Sequence, residues 1–265
     1  MRYTTSDGVS ITYEVYGRGK DLVLLHGALV DRAYWQPQLA ELSQYYRLII
    51  PDFRWNTLDA PIDYSVERMA QDTLELLNHI GTKSIHICGH ALGGSVAVHL
   101  ATIAPQYVDK IILLETLPEY PFQGIFLQLL KATAFLTPIG MLARSMRNLT
   151  DDEDLKAYIV EQVKLLGKEK YFKLLQSQVE YEFQTILEHI QHSTLLLWGA
   201  SNSRFSKATM RMVNQMPNAY IRIIPRAGHM ANWDNTSAFN QAVIDHLSID
   251  ETLPTFFRPV ANANQ

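Results

Sequence analysis

Apolar and polar positions follow two periods along the chain. Short apolar runs occur at VLLH (23–26), RLII (47–50), SIHIC (84–88), KIILL (110–114), TLLLW (194–198) and YIRII (220–224). Most are bounded by Gly, Pro, Asp or His, and near-continuous apolar runs of this length belong to strands buried on both faces of a parallel sheet. Helical patterns lie between them, Val66 to Ile80 and Gly93 to Ala104 among them. Strand and helix in turn predict an α/β chain with a mostly parallel, doubly wound sheet and helices on both faces. The segment SITYEVYG (10–17) alternates instead and is expected to form an antiparallel edge hairpin with its neighbour.

The spacing breaks once. No strand pattern recurs between Glu115 and Thr194, only amphipathic helical segments. Asn148-Leu149-Thr150-Asp151-Asp152-Glu153 reads as a helix start with acidic residues in its first turn. The expected organisation is a core of residues 1–116 and 192–250, a helical cap inserted at 117–191, and a tail at 251–265. The cap region carries Tyr120, Phe122, Phe126, Phe135, Tyr158, Tyr171, Phe172, Tyr181 and Phe183. They could line an apolar pocket over the sheet edge, but most are expected to pack cap to core.

Composition narrows the function classes. At 265 residues and 47% hydrophobic, the chain can bury a full core as one domain with an insertion. A net charge of -4 gives no ground for nucleic acid or an anionic membrane as partner. The single cysteine, Cys88, excludes an intramolecular disulfide and fits a reducing compartment. The first residues, MRYTTSDGVS, hold no apolar stretch of signal-peptide length, and no run approaches the roughly 20 apolar residues of a membrane span. A cytoplasmic protein is expected, with a homodimer left open as its assembly.

The chemistry centres on ICGHALGGSV (87–96), a strand-like approach, a Gly-His-x-Leu-Gly-Gly turn and a helical run. This is the layout of a nucleophile elbow, G-x-S-x-G, with Ala91 at the serine position. His26-Gly27 follows an earlier strand, and Ala227-Gly228-His229 follows the last. In this order the set resembles the α/β-hydrolase fold, from about Thr4 to Leu247. The resemblance implies an oxyanion hole built from the backbone N–H groups of Leu92 and Ala28. It also implies His229 as general base, a role that a near-neutral pKa suits. Relatives usually carry the orienting acid in the loop after the next-to-last strand, here Gly199 to Ser206, which holds no carboxylate. Others take it from the end of the strand after the elbow helix, where Glu115 stands. A glutamate closing an apolar run is costly to bury unpaired, and His229 is its natural partner. The alternatives are a carboxylate bonded to backbone N–H groups with no catalytic part, and Asn202 as a neutral orienter; Asp234 follows His229 too soon to turn back easily. One departure is Asp52-Phe53-Arg54-Trp55-Asn56-Thr57, where many relatives have a Gly-rich turn. His86, Cys88 and His90 alternate, so a metal site can be imagined, but packing roles are expected and no cofactor is implied.

Three readings of Ala91 stay open. Alanine there deletes only the attacking oxygen, the change an experimenter makes to trap a substrate. A natural alanine would leave His229 to activate water or take a substrate proton directly. A non-catalytic ligand receptor on the same scaffold is the third. Glu115 lies 24 positions after Ala91, and with a cap of this size the chain resembles the zearalenone-type lactone hydrolases. That resemblance, with the aromatic cap, implies a bulky apolar ester or lactone as substrate, held by Leu29, Trp55, Tyr120, Phe122, Phe126 and Met230. A simple carboxylesterase, a carbon–carbon bond hydrolase and a lyase are the other chemistries the scaffold hosts.

Overall fold

The computed structural model describes residues 1–57, 63–119, 136–202 and 207–248. Its strands are β1 (Arg2–Thr4), β2 (Ser10–Tyr16), β3 (Lys20–Leu25), β4 (Tyr46–Pro51), β5 (Ile85–His90), β6 (Val108–Leu114), β7 (Ser193–Gly199) and β8 (Ala219–Ile224). They form one sheet in the order β1-β2-β4-β3-β5-β6-β7-β8. β1 pairs antiparallel with β2, and β2 antiparallel with β4, as the alternating N-terminal segment predicts. From β4 to β8 every pairing is parallel.

The helices are α1 (Gln36–Leu42), α2 (Val66–Ile80), α3 (Leu92–Ile103), α4 (Ile139–Ser145), α5 (Glu153–Glu180), α6 (Lys207–Gln215), α7 (Ala231–Asp234) and α8 (Thr236–Ser248). Successive side chains of a strand point to opposite faces, and the core divides accordingly. Leu22, Leu24, Leu48 and Ile112 pack with Leu42 of α1 and Phe239 of α8. Val23, Leu25, Ile49 and Ile111 pack with Met69 of α2 and Val96 of α3 on the other side. Each such buried aliphatic side chain contributes about 1.5–3 kcal/mol of transfer free energy.

Local signals set several boundaries. The Ser65 side chain accepts from Arg68 N at 3.3 Å to start α2, and Gly81 ends it at φ 79°. Asp152 accepts from Leu155 N at 2.7 Å to start α5, with Glu153 and Asp154 in its first turn. Gly167 (φ 75°, ψ 167°) breaks α5 midway. Among the described residues, no strand lies between β6 and β7. One expectation fails: YIRII is not buried on both faces. β8 has β7 as its one described neighbour, Ile223 is 45% exposed, and Arg222 pairs outward with Asp245 at 2.7 Å. No helix among the described residues is long and apolar enough to cross a membrane.

Candidate active site

Parallel register brings the segments that follow five strands together at the carboxyl edge of the sheet. Leu25 lies beside Gly89, His90 beside Leu114, Leu114 beside Leu197, and Gly199 beside Ile224. The segments after these strands therefore adjoin, in the crevice where open parallel sheets bind ligands.

Ala91 is the one residue between β5 and α3, buried, with φ 48° and ψ -110°. Side chains rarely adopt this backbone region, and holding it costs of order 1–3 kcal/mol. Three hydrogen bonds impose it: Ala91 N donates to Leu114 O at 2.9 Å, and Ala91 O accepts from Gly94 N at 2.9 Å and Ser95 N at 3.2 Å. A Cβ on Gly94 would stand 1.9 Å from Thr116 Oγ1, so any other residue there must displace the Thr116 side chain. Leu92 opens α3. Its N–H belongs to the first turn, whose donors have no acceptor within the helix and where the helix dipole is positive.

Glu115 also has a left-handed backbone, φ 51°, and its carboxylate is fully buried. Its Oε1 accepts from Gly199 N at 2.6 Å, and its Oε2 accepts from Asn202 Nδ2. The same Oε2 lies 3.6 Å from His229 Nδ1. Backbone anchoring and proximity to His229 thus coexist in one carboxylate. Asn202, read from the sequence as a substitute orienter, instead donates to Glu115. The 3.6 Å separation is an ion-pair distance outside hydrogen-bond range; such contacts commonly tighten when substrate binds. The loop before His229 abuts β7 closely, since a Cβ on Gly199 would meet Gly228 O at 2.1 Å.

The His229 loop is supported by residues with no local sequence signal. His90 Nε2 lies 3.2 Å from His229 O. A carbonyl only accepts, so that nitrogen carries the hydrogen. Burial holds the His90 imidazole well below its ordinary pKa, hence neutral. Its ring stacks on Tyr34, centroids 5.0 Å apart, and the Tyr34 hydroxyl bonds Asn232. Asp234, expected to follow His229 too soon to turn back easily, does turn back, to the residue beside His229: Oδ2 accepts from Gly228 N at 2.7 Å, and Oδ1 accepts from Thr150 Oγ1 at 2.7 Å.

The loop carrying Ala28 is fixed from two sides. Leu29 takes φ 70°. Asp31 accepts from the Tyr158 hydroxyl at 2.6 Å, while Arg32 N donates to Asp52 Oδ1 at 2.9 Å. The 52–57 loop is anchored by a buried ion pair. The Arg54 guanidinium, fully buried, grips Asp72 at 2.7 and 2.9 Å and reaches Asp7 at 2.9 Å.

The expected pocket residues are placed as follows. Trp55 is buried, its ring 5.4 Å from that of His26, and Leu29 and Met230 are buried in the α1–α8 core. Tyr120, Phe122, Phe126 and Phe135 lie outside the described residues, as does the tail 251–265. Of the other cap aromatics, Tyr171 and Phe183 are core residues, and the Tyr181 hydroxyl lies 3.1 Å from His99 Nδ1. A cavity of about 630 Å³ opens beside His229, walled mainly by polar groups, including Asp151, Asn202 and Arg226, with Trp233 and Leu149. His86, Cys88 and His90 share a sheet face, but among the described residues no three ligating side chains cluster for a metal.

Comparison with known proteins agrees with this architecture. The alpha/beta hydrolase family matches residues 22–242. A Stutzerimonas stutzeri protein named as a carbamate hydrolase, RutD, is 27% identical over 89% of this chain and 96% of its own length. The 2-hydroxy-6-oxo-6-phenylhexa-2,4-dienoate hydrolase of Burkholderia cepacia is 26% identical over 88% of this chain and 89% of its own. Among solved structures, the enol-lactonase from Burkholderia xenovorans LB400 superposes with a TM-score of 0.85 at 18% identity, covering 94% of this chain and all of that one.

Proposed function

The chain belongs to the alpha/beta hydrolase family, and from this premise we propose that it is a serine-type ester or lactone hydrolase in a form that lacks its nucleophile. The observation that carries the reading is the backbone of Ala91. A methyl group gains nothing from φ 48° and ψ -110°, whereas a hydroxyl at that position is projected from a sharp turn toward substrate. Strain at a position with no use for it points to the chemistry the position serves.

The rest of the apparatus is assigned as follows. With an oxygen on residue 91, His229 takes its proton through Nε2 while Nδ1–H turns to Glu115 Oε2. Glu115 fixes that tautomer and stabilises the imidazolium. The N–H groups of Leu92 and Ala28 receive the developing oxyanion, each worth about 10²–10³ in rate. Neither depends on a side chain, so alanine at 91 leaves the hole intact.

The segment 117–191 is assigned as a cap over the strand ends. The substrate class is a bulky apolar ester or lactone of the kind opened by zearalenone-type hydrolases. Supporting this are a glutamate at the end of β6 facing the base and the fold shared with an enol-lactonase. Ground-state affinity rests on the walls and turnover on the missing oxygen. The chain as it stands should bind a bulky phenolic lactone at micromolar strength or better and leave it uncleaved. Calorimetric titration with mass analysis of the recovered ligand tests this. Tighter binding of short-chain esters would remove the lactone reading, and ligand density away from Ala91 in a soaked crystal would remove the site.

A further inference from the structure

One short stretch, Thr150 to Tyr158, touches both halves of this apparatus. At its start, the Thr150 hydroxyl, on a buried residue, donates to Asp234 Oδ1 at 2.7 Å. The other oxygen of Asp234 accepts from the N–H of Gly228, the neighbour of His229, at 2.7 Å. Eight residues on, in α5, the Tyr158 hydroxyl donates to Asp31 Oδ1 at 2.6 Å and accepts from Asp31 N at 3.0 Å. Asp31 closes the loop that carries Ala28 and the left-handed Leu29. Burial and the Asp31 carboxylate both raise the Tyr158 phenol above its ordinary pKa, so it remains a donor.

Each bond crosses from the segment between β6 and β7 to a loop of the sheet. A loop held in a left-handed conformation relaxes unless its surroundings over-determine it, and Asp31 is an anchor on that loop. Gly228 is the corresponding anchor beside His229.

We infer that Thr150 and Tyr158 are positioning residues: through Asp234 and Asp31 they clamp the His229 loop and the Ala28 loop in register with each other. The inference deepens, and rests on, the hydrolase reading above. Neither residue touches the reacting atoms. Their effect falls on the placement of base and oxyanion donors, where an error of about 1 Å costs up to roughly 10²-fold in rate.

The test has two arms. In the chain as it stands, hydrogen–deuterium exchange is followed by mass spectrometry for Tyr158→Phe, Thr150→Val, Thr150→Ser and, as control, the exposed Glu153→Gln. Tyr158→Phe should speed exchange in residues 26–33 and Thr150→Val in 226–234. Thr150→Ser keeps the hydroxyl and should restore protection, and Glu153→Gln should change neither loop. In the Ala91→Ser background, Tyr158→Phe and Thr150→Val should each lower kcat roughly 10- to 100-fold with KM within about two-fold. Unchanged exchange in both loops, exchange raised uniformly across the molecule, or loosened loops with kcat intact would each overturn the clamp. An inactive Ala91→Ser protein would count against the hydrolase reading alone, and the exchange arm would still decide the clamp.

Discussion

Two residues carry most of the chemical argument, and both occupy backbone conformations that side chains avoid. Ala91 at φ 48° and Glu115 at φ 51° stand one strand apart, joined where Ala91 N donates to Leu114 O. If Ala91 is strained, glycine should relieve it. Ala91→Gly should therefore stabilise the fold by about 1 kcal/mol in urea unfolding, because relief of 1–3 kcal/mol of strain exceeds the 0.4–1 kcal/mol that glycine's unfolded-chain freedom costs. A loss of stability would show that the turn is relaxed. Glu115 is tested in the Ala91→Ser background. Glu115→Gln should lower kcat by roughly 10³–10⁴-fold, as His229 loses the carboxylate that sets its tautomer. Asn202→Ala, which removes one donor to Oε2, should cost no more than about ten-fold; the reverse order would move the orienting role to the later loop. That Glu115 lies beside His229 was legible because the family resemblance marks the end of that strand and a carboxylate closing an apolar run needs a partner. The bond from Asn202 was not, since nothing local marks an amide 87 residues away as its donor.

At the level of elements, patterning delivered the parallel strands and α2 because the signals there are local: an apolar run for a strand, a helical period for α2. β8 departed from the pattern because burial of a strand depends on its neighbours, and an apolar run does not say which strand ends the sheet. The loop 52–57 departed for a related reason, its anchor being an ion pair between Arg54 and carboxylates at Asp7 and Asp72. The elbow's own packing makes a sharper statement. Gly94→Ala places a Cβ 1.9 Å from Thr116 Oγ1. It should destabilise by about 3 kcal/mol, at the upper end of overpacking costs. Thr116→Ala removes that oxygen and should return part of the loss, a coupling readable in a double-mutant cycle by chemical denaturation. Additive losses would mean that the two side chains do not meet.

For the whole molecule, the end of the sheet opposite the site holds a second group of buried histidines. Burial lowers His86 to about 4. Burial and the nearby Lys110 charge lower His246 to about 4. Both are neutral in the fold and titrate near 6.5 when unfolded, so the unfolded chain binds more protons between pH 6.5 and 4. Stability should accordingly fall as pH drops through that window, by up to about 1.4 kcal/mol per pH unit for each histidine. Thermal melts from pH 7 to 5 should show the decline, and His246→Gln should flatten it; a melt independent of pH over that range would contradict the burial of both groups.

The central claim is that one oxygen separates this chain from a working hydrolase. Restoring it is the most direct measurement: Ala91→Ser, assayed against activated esters and phenolic lactones beside the chain as it stands. With the proposed oxyanion donors, His229 and Glu115 untouched by the substitution, the serine protein should turn over at least roughly 10³-fold faster. A serine protein that folds with an unchanged melting temperature yet gains no activity on either class would contradict the account.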